Sequence, residues 1–142
     1  MARGLSVVST KDKKRSEFPP KTGLWHKTLF GLSKGADNDM YLGISWYSPK
    51  TSCGVHYHDV SEIEYIVSGN GFLESGGKKY VLEPGVALYE PAGVRHNLTN
   101  TGDEPMCVLY AHEKSNFTTT NLTHGLKVLP NGRVVRLRKG DQ

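Results

Sequence analysis

With 142 residues and a formal net charge of +4, the chain has the length of one domain that buries about two thirds of its unfolded surface. It has no apolar run of the 18 or more residues that a membrane span requires, and residues 1–10 lack the apolar core of a signal peptide. We therefore expect a cytoplasmic protein without membrane association, in which Cys53 and Cys107 stay reduced.

The positive charge is confined to the two ends of the chain. Residues 1–34 carry +6 and residues 127–142 carry +4, which leaves −6 on residues 35–126. A basic total can indicate a nucleic-acid partner, but no aromatic motif for base stacking accompanies these charges. We interpret the ends as solvated arms and edge strands and expect no nucleic-acid partner. Contact with an anion or a nucleic acid through the basic ends is the less favoured alternative.

The first half of the chain reads as a polar arm followed by strands. Residues 1–22 are basic and polar, and the first firm strand is predicted from Leu24 to Leu32. Met40 to Tyr47 is the next, closed by Pro49. No stretch shows the 3.6-residue period of a helix over eleven residues, so we expect little helix.

The segment GVHYHDVSEIEYIVSG, residues 54–69, places two histidines and a carboxylate close together. His56 and His58 are two residues apart, so in an extended strand their side chains share one face. After a bend at residues 59–61, a second strand from Glu62 to Val67 would bring the Glu62 carboxylate to the same place. This segment supplies most of a candidate metal site.

Strand alternation also predicts which neighbours share the interior. Glu64 and Ile66 should lie on the face of Glu62, whereas Ser52 and Gly54, but not Cys53, should share the face of the histidines. A second carboxylate beside a metal can take a proton from a bound ligand, so Glu64 is the candidate catalytic base or substrate contact. Its alternative interpretation is an ordinary solvated strand residue.

The second half of the chain continues the succession of strands and turns. A hairpin is predicted over residues 72–82, followed by a strand to Tyr89, a tight turn at residues 91–93 and a strand over residues 95–99 that carries His96. His96 can complete a site of three imidazoles and one carboxylate. Asn100 is expected to stabilise the following turn.

The last part of the chain is predicted to hold one strand, an irregular segment and a hairpin. The strand runs from Met106 to His112, residues 118–124 are expected to be irregular, and a hairpin surrounds Asn131-Gly132. Short strands separated by glycine and proline turns are typical of an antiparallel all-β barrel or sandwich.

Two motifs in this chain resemble those of the cupin superfamily, which have the forms H-x-H-x3-E-x6-G and G-x5-P-x-G-x2-H-x3-N. The first is matched by His56, His58, Glu62 and Gly69, and the second by Gly85, Pro91, Gly93, His96 and Asn100, without adjusted gaps. The family's first motif opens with a glycine six residues before its leading histidine, where this chain has Lys50.

The resemblance covers roughly residues 40–112 and implies a double-stranded β-helix of the jelly-roll kind. We expect a cupin barrel over residues 23–126, a basic N-terminal arm over residues 1–22 and a basic C-terminal hairpin or tail over residues 127–142. Because cupin barrels often pair through terminal strands, a homodimer is expected.

Three histidines and one glutamate suit one divalent transition metal, and the sequence leaves open Fe, Mn, Ni, Co, Cu and Zn. With four protein ligands, His56, His58, Glu62 and His96, an octahedral ion keeps two positions for water, substrate or dioxygen. We expect an enzyme acting on a small organic molecule, with dioxygenase chemistry slightly favoured over lyase or isomerase chemistry. A non-catalytic ligand-binding or sensor cupin is the alternative.

One group of lyases in the superfamily bears on the choice of reaction. Cupin lyases that cleave dimethylsulfoniopropionate have a similar H-Y-H-x3-E-I motif, followed by tyrosine where this chain has Glu64. This departure counts against the same activity, because it exchanges the presumed base for a different acid.

Overall fold

The computed structural model describes residues 5–17, 21–31, 40–113, 119–121, 126–128 and 134–136. Within these ranges the regular structure consists of β-strands and one short 3-10 turn at Thr10–Asp12, as the absence of helical periodicity predicts. No helix among them is long and apolar enough to cross a membrane. The strands are β1 (Ser16–Glu17), β2 (Leu24–Phe30), β3 (Met40–Tyr47), β4 (His56–His58), β5 (Glu62–Ser68), β6 (Gly71–Ser75), β7 (Lys78–Leu82), β8 (Ala87–Glu90), β9 (Asn97–Asn100), β10 (Met106–Glu113), β11 (Thr119–Asn121), β12 (Leu126–Val128) and β13 (Val134–Arg136).

The strands form two antiparallel walls. One is a six-stranded sheet in the order β1-β2-β3-β10-β5-β8. The other combines a four-stranded sheet, β13-β12-β11-β4, with a three-stranded sheet, β7-β6-β9. Isolated bridges between His56 and His96 and between Ser52 and Thr99 join these two smaller sheets. The all-β jelly-roll architecture predicted from the sequence is confirmed.

Both ends of the chain contribute strands. Ser16 and Glu17, within the predicted basic arm, pair with the beginning of β2. At the other end, β12 pairs with β13 as the predicted hairpin requires, while its turn at Asn131-Gly132 lies outside the described residues. Residues 119–121, expected to be irregular, instead form β11 between β4 and β12, so that prediction is wrong. Pairing on both sides decides the conformation of this short polar segment, which has no hydrophobic alternation of its own.

The apolar core and the polar cluster divide the interior of the barrel. β5 shows this along one face, because Glu62, Glu64 and Ile66 are all buried, while the side chains between them point outward. Ile66 belongs to a core in which each apolar side chain stabilises the fold by about 1.5–3 kcal/mol on burial. The core also contains Tyr47, Cys53, Leu73, Leu82, Leu98, Met106 and Val108.

Two local backbone features lie next to the predicted metal-binding strand. Cys53, predicted to turn away from the histidine face, is buried in the core with its Sγ 3.7 Å from Nδ1 of His56. That prediction is wrong because residues 52–55 are not a continuous strand; Gly54 has a φ of +77° and interrupts the alternation.

Lys50, at the position of the family's glycine, has a φ of +58°, so it keeps the left-handed conformation that a glycine would favour.

Candidate metal centre

The two histidines of β4 enter the barrel side by side. His56 and His58 are both buried, the residue between them is less so, and their ring centroids are 4.8 Å apart. The alternation predicted for the H-x-H sequence is therefore present in the structure.

His96 faces this pair from the position just before β9, where it forms an isolated bridge with His56. The amide of each of His56 and His96 donates to the carbonyl oxygen of the other, at 3.0 and 2.9 Å, so the two residues lie directly opposite. The ring centroid of His96 is 4.4 Å from that of His56 and 5.3 Å from that of His58. One ligand atom from each of the three rings lies within 4.8 Å of the others.

Backbone carbonyl groups orient two of these rings. Nδ1 of His56 donates to the Gly54 oxygen at 2.8 Å, and Nδ1 of His96 donates to the Val94 oxygen at 2.9 Å. In a neutral ring this leaves the Nε2 lone pair available to a metal ion. Burial, followed by the neighbouring His58 and His96, lowers the pKa of His56 to about 3, and burial also lowers the pKa of His96. Both rings are therefore neutral at physiological pH, as metal ligands must be.

Glu62 opens β5 and completes the predicted set. It is 4% exposed, and its Oε2 is 3.0 Å from Nε2 of His58. The strand register places Glu62 opposite Glu90 of β8 on one side and His112 of β10 on the other. The structure thus brings together the four candidate metal ligands of the two motifs.

Glu90 is a further acidic residue at this centre, and the sequence reasoning missed it. It ends β8 with 5% exposure, and its Oε2 is 3.1 Å from Nε2 of His96. Ligand atoms of Glu62, Glu90 and His96 lie within 4.8 Å of one another. The signal that could have found it is the two-residue alternation of β8, which turns Tyr89 outward and Glu90 inward.

Glu64 lies on the same face, two residues beyond Glu62, and is 6% exposed. Among the described residues, its Oε2 has no hydrogen-bond partner. Burial, and then the nearby Glu90 and Glu62 carboxylates, raise the pKa of Glu64 well above its usual value. Burial and Glu62 raise the pKa of Glu90 to about 8.

The donor set fits a divalent ion. Three carboxyl groups and three imidazoles share a buried volume, in which uncompensated negative charge is unfavourable. With bonds of about 2.1 Å, adjacent ligand atoms of an octahedral ion lie about 3.0 Å apart. The separations of 3.0 Å between His58 and Glu62 and 3.1 Å between His96 and Glu90 match that edge.

His112 and two tyrosines lie beside the carboxylates. The buried ring of His112 stacks on Tyr41, with ring centroids 4.5 Å apart, and its Nδ1 donates to the Glu113 oxygen at 2.6 Å. The hydroxyl groups of Tyr41 and Tyr110 are 3.3 Å apart. Tyr110 pairs with Glu64 across β10 and β5, so an aromatic surface adjoins the candidate base.

Comparison with known proteins gives a consistent picture of the fold. The cupin domain family model matches residues 44–112. The dimethylsulfoniopropionate lyase DddW of Ruegeria pomeroyi is 30% identical over 91 residues, which span 64% of this chain and 59% of that protein. The match therefore covers about three fifths of this curated relative.

Two solved structures show how widely the fold is shared. A sugar phosphate isomerase of the cupin superfamily from Silicibacter pomeroyi has a TM-score of 0.70 and 18% identity, and the alignment covers 96% of this chain and 99% of that one. A predicted oxalate decarboxylase from Thermotoga maritima has a TM-score of 0.64 and 25% identity, over 76% of this chain and 98% of its own. These proteins carry names of different activities, so the reaction has to be argued from the site.

Proposed function

This chain belongs to the cupin superfamily, and from that premise we propose that it is a metal-dependent enzyme that moves a proton to or from carbon in a small organic molecule. In this proposal Glu64 is the catalytic acid or base. The observation that carries it is the burial of the Glu64 carboxyl group next to the Glu90 and Glu62 carboxylates, on the same face of β5 as Glu62, where it would adjoin a bound substrate.

The metal would be held by His56, His58, His96 and Glu62. The donor set is compatible with any of Fe, Mn, Ni, Co, Cu and Zn. A divalent ion bound there would supply a Lewis acid that polarises a carbonyl or carboxylate oxygen of the substrate.

Glu64 has the properties expected of a tuned acid or base. Without a cation its raised pKa keeps the carboxyl group protonated, while positive charge nearby favours the ionised form. A bound cation would therefore lower the raised pKa of Glu64, and acid–base catalysis is most effective when such a pKa is near the working pH. The ionised oxygen would accept a proton from a carbon next to a carbonyl group, and the C–H electron pair would form the enolate. Where the next carbon carries a leaving group, that group departs with its bonding pair.

The relatives give this reaction class additional support. One is named a lyase and another an isomerase, and both classes include reactions that begin with removal of a proton from carbon. The substrate of the lyase is not transferred to this chain, because Glu64 replaces the tyrosine of the lyase motif and the match covers only part of that protein.

The two other functions considered from the sequence have less support from the geometry. Oxygen-dependent chemistry, slightly favoured by sequence, requires only the metal and leaves the buried acids without a role. The sensor alternative is favoured if Glu64 faces solvent. In the structure Glu64 is only 6% exposed, which counts against that alternative. Both remain distinct outcomes of one experiment.

The test is hydrogen exchange into substrate in D2O. The protein loaded with each candidate metal would be incubated with 2-oxo acids and with carboxylates bearing a β leaving group, dimethylsulfoniopropionate among them. Exchange or elimination would be followed by NMR and dissolved oxygen by an electrode. We expect turnover that falls about 100-fold or more in Glu64→Gln at unchanged metal content. The matched control is Glu74→Gln, which removes an exposed carboxylate.

The outcomes separate the three functions. Oxygen consumption without exchange would replace the proposal with dioxygenase chemistry. Ligand binding without turnover for every metal would favour the sensor. Equal turnover in Glu64→Gln and the unaltered protein would remove the catalytic role of Glu64.

A further inference from the structure

We propose that Glu90 is a fifth protein ligand of the ion at this centre, so that one coordination position, rather than two, remains for water or substrate. The inference rests on the metal centre of the proposed function and adds a ligand that the two sequence motifs do not contain. Its consequence is that a substrate would attach to the ion through a single atom.

The first support is the position of the Glu90 carboxylate. Its Oε2 lies 3.1 Å from Nε2 of His96, and it forms a compact donor group with Glu62 and His96. His96 also belongs to the group of three histidines. The two groups therefore share His96, so the two carboxylates lie next to the three imidazoles.

The second support is the lone pair that Glu90 faces. Because Nδ1 of His96 donates to the Val94 oxygen, the neutral ring presents an acceptor, not a donor, at Nε2. Within the part of the chain that the structure describes, neither oxygen of the buried Glu90 side chain has a hydrogen-bond partner. Two acceptors at 3.1 Å repel unless a cation or a proton lies between them. A metal ion satisfies both atoms and keeps His96 as a ligand.

The third support is that the backbone fixes Glu90 at this location. Glu90 pairs with Glu62 across β8 and β5. In the turn that follows, the amide of Gly93 donates to the His58 oxygen at 2.8 Å, and the amide of Ala92 donates to Oγ of Ser61 at 3.2 Å. The turn is thus tied to β4, which supplies His56 and His58, and to the segment that leads into Glu62 at the start of β5.

Two competing arrangements would give different coordination. A protonated Glu90 could donate to Nε2 of His96, which would remove that histidine from the ion. Alternatively, Glu90 could accept a hydrogen bond from a metal-bound water without touching the ion. In both cases the ion would retain at least two waters, so the number of bound waters distinguishes them from direct ligation.

The experiment uses the full chain loaded with Mn2+ and measures water-proton relaxivity, which reports the number of exchangeable waters on the ion, together with the Mn2+ dissociation constant. We expect one bound water in the unaltered protein. In Glu90→Gln and Glu90→Ala we expect two, with affinity weakened about tenfold or more. Glu64→Gln is the matched control, because it neutralises a buried carboxyl group on the same face and should leave the number of waters at one.

The water count of the unaltered protein tests the role of Glu90 even where a variant does not fold, which circular dichroism and thermal unfolding would reveal. Two or more bound waters in the unaltered protein would overturn that role and leave the metal centre of the proposed function standing. An unchanged water count in folded Glu90→Ala would overturn it as well. Failure to bind Mn2+ or any other divalent transition ion would overturn both this inference and the proposed function.

Discussion

Replacement of Glu90 by glutamine should make the metal-free protein more stable at alkaline pH, although it removes a charged residue from the candidate site. In the unaltered protein, burial and Glu62 raise the pKa of Glu90 from 4.5 to about 8. The folded state therefore holds a proton that the unfolded state releases above pH 4.5. Stability from this group is fully present below pH 4.5 and is lost as the pH rises to 8.

The size of the effect follows from the two pKa values. Each pH unit between them lowers the free energy of unfolding by ~1.4 kcal/mol, which amounts to as much as ~5 kcal/mol over the whole interval. Glu64 acts in the same direction, because its pKa is also raised by burial and by Glu90. Glutamine has the shape of glutamate but does not ionise, so it removes the contribution of Glu90 and lessens that of Glu64.

The histidines determine which pH range is informative. The pKa of His56 is lowered to about 3, so its contribution to stability is lost as the pH falls from 6.5 toward 3. Above pH 6.5 that contribution is constant. Between pH 6.5 and 8, the stability advantage of Glu90→Gln over the unaltered protein should grow by ~2 kcal/mol.

The assay is urea denaturation in the presence of a chelator at four pH values from 6.5 to 8. Glu74→Gln, at an exposed carboxylate, should run parallel to the unaltered protein. Equal pH dependence of Glu90→Gln and the unaltered protein would refute the claim that this carboxyl group is buried without compensation. A saturating divalent ion in place of the chelator should flatten the curve of the unaltered protein, since a bound cation favours the ionised carboxylates.

Two substitutions and one labelling experiment test the structure around the centre. In chemical denaturation, the Lys50→Gly variant should be more stable than the Lys50→Ala variant by about 1 kcal/mol. Both variants lose the exposed ion pair with Asp103, but only alanine keeps the strain of a φ of +58°. Equal stabilities of the two variants would show that the turn relaxes. In the same assay, Asn100→Ala should lower the free energy of unfolding by about 2–4 kcal/mol. The reason is that the fully buried side-chain amide donates to the Tyr47, Ser48 and Glu104 carbonyl oxygens. A loss below 1 kcal/mol would contradict that role. Burial raises the pKa of the Cys53 thiol to about 12. Cys53 should therefore resist thiol reagents at pH 8 in the folded protein and react with them in urea. Rapid labelling of the folded protein would show that the core opens at this residue.

The parts of the site that sequence could predict are those set by strand periodicity. His56 and His58 share a face because they are two residues apart on one strand, and Glu62, Glu64 and Ile66 share a face for the same reason. These relations hold along a single strand and need no knowledge of its neighbours. The turn role of Asn100 is equally local, because the Gly102 amide donates to its side-chain oxygen at 2.9 Å.

The parts that sequence could not predict depend on pairing between distant strands. Glu90 reaches the centre because β8 pairs with β5 in the register that sets Glu62 opposite Glu90. Thr119–Asn121 becomes a strand because β4 and β12 hydrogen-bond to it from both sides. Cys53 turns into the core because the positive φ of Gly54 changes the direction of the chain. The alternation of β8 indicates that Glu90 points inward, but the pairing partners and the register that decide these three features are not visible in the local pattern of residues.

The charges of the centre connect the two proposals. Glu62, Glu64 and Glu90 would place three negative charges in a buried volume, which is strongly unfavourable without compensation. A divalent ion bound by Glu62 and Glu90 balances two of them and leaves Glu64 as the carboxyl group whose protonation is still free to change. A fifth ligand therefore does more than complete the coordination of the ion. It assigns two carboxylates to holding the metal and reserves the third for proton transfer, which is the division of roles that acid–base chemistry on a metal-bound substrate requires.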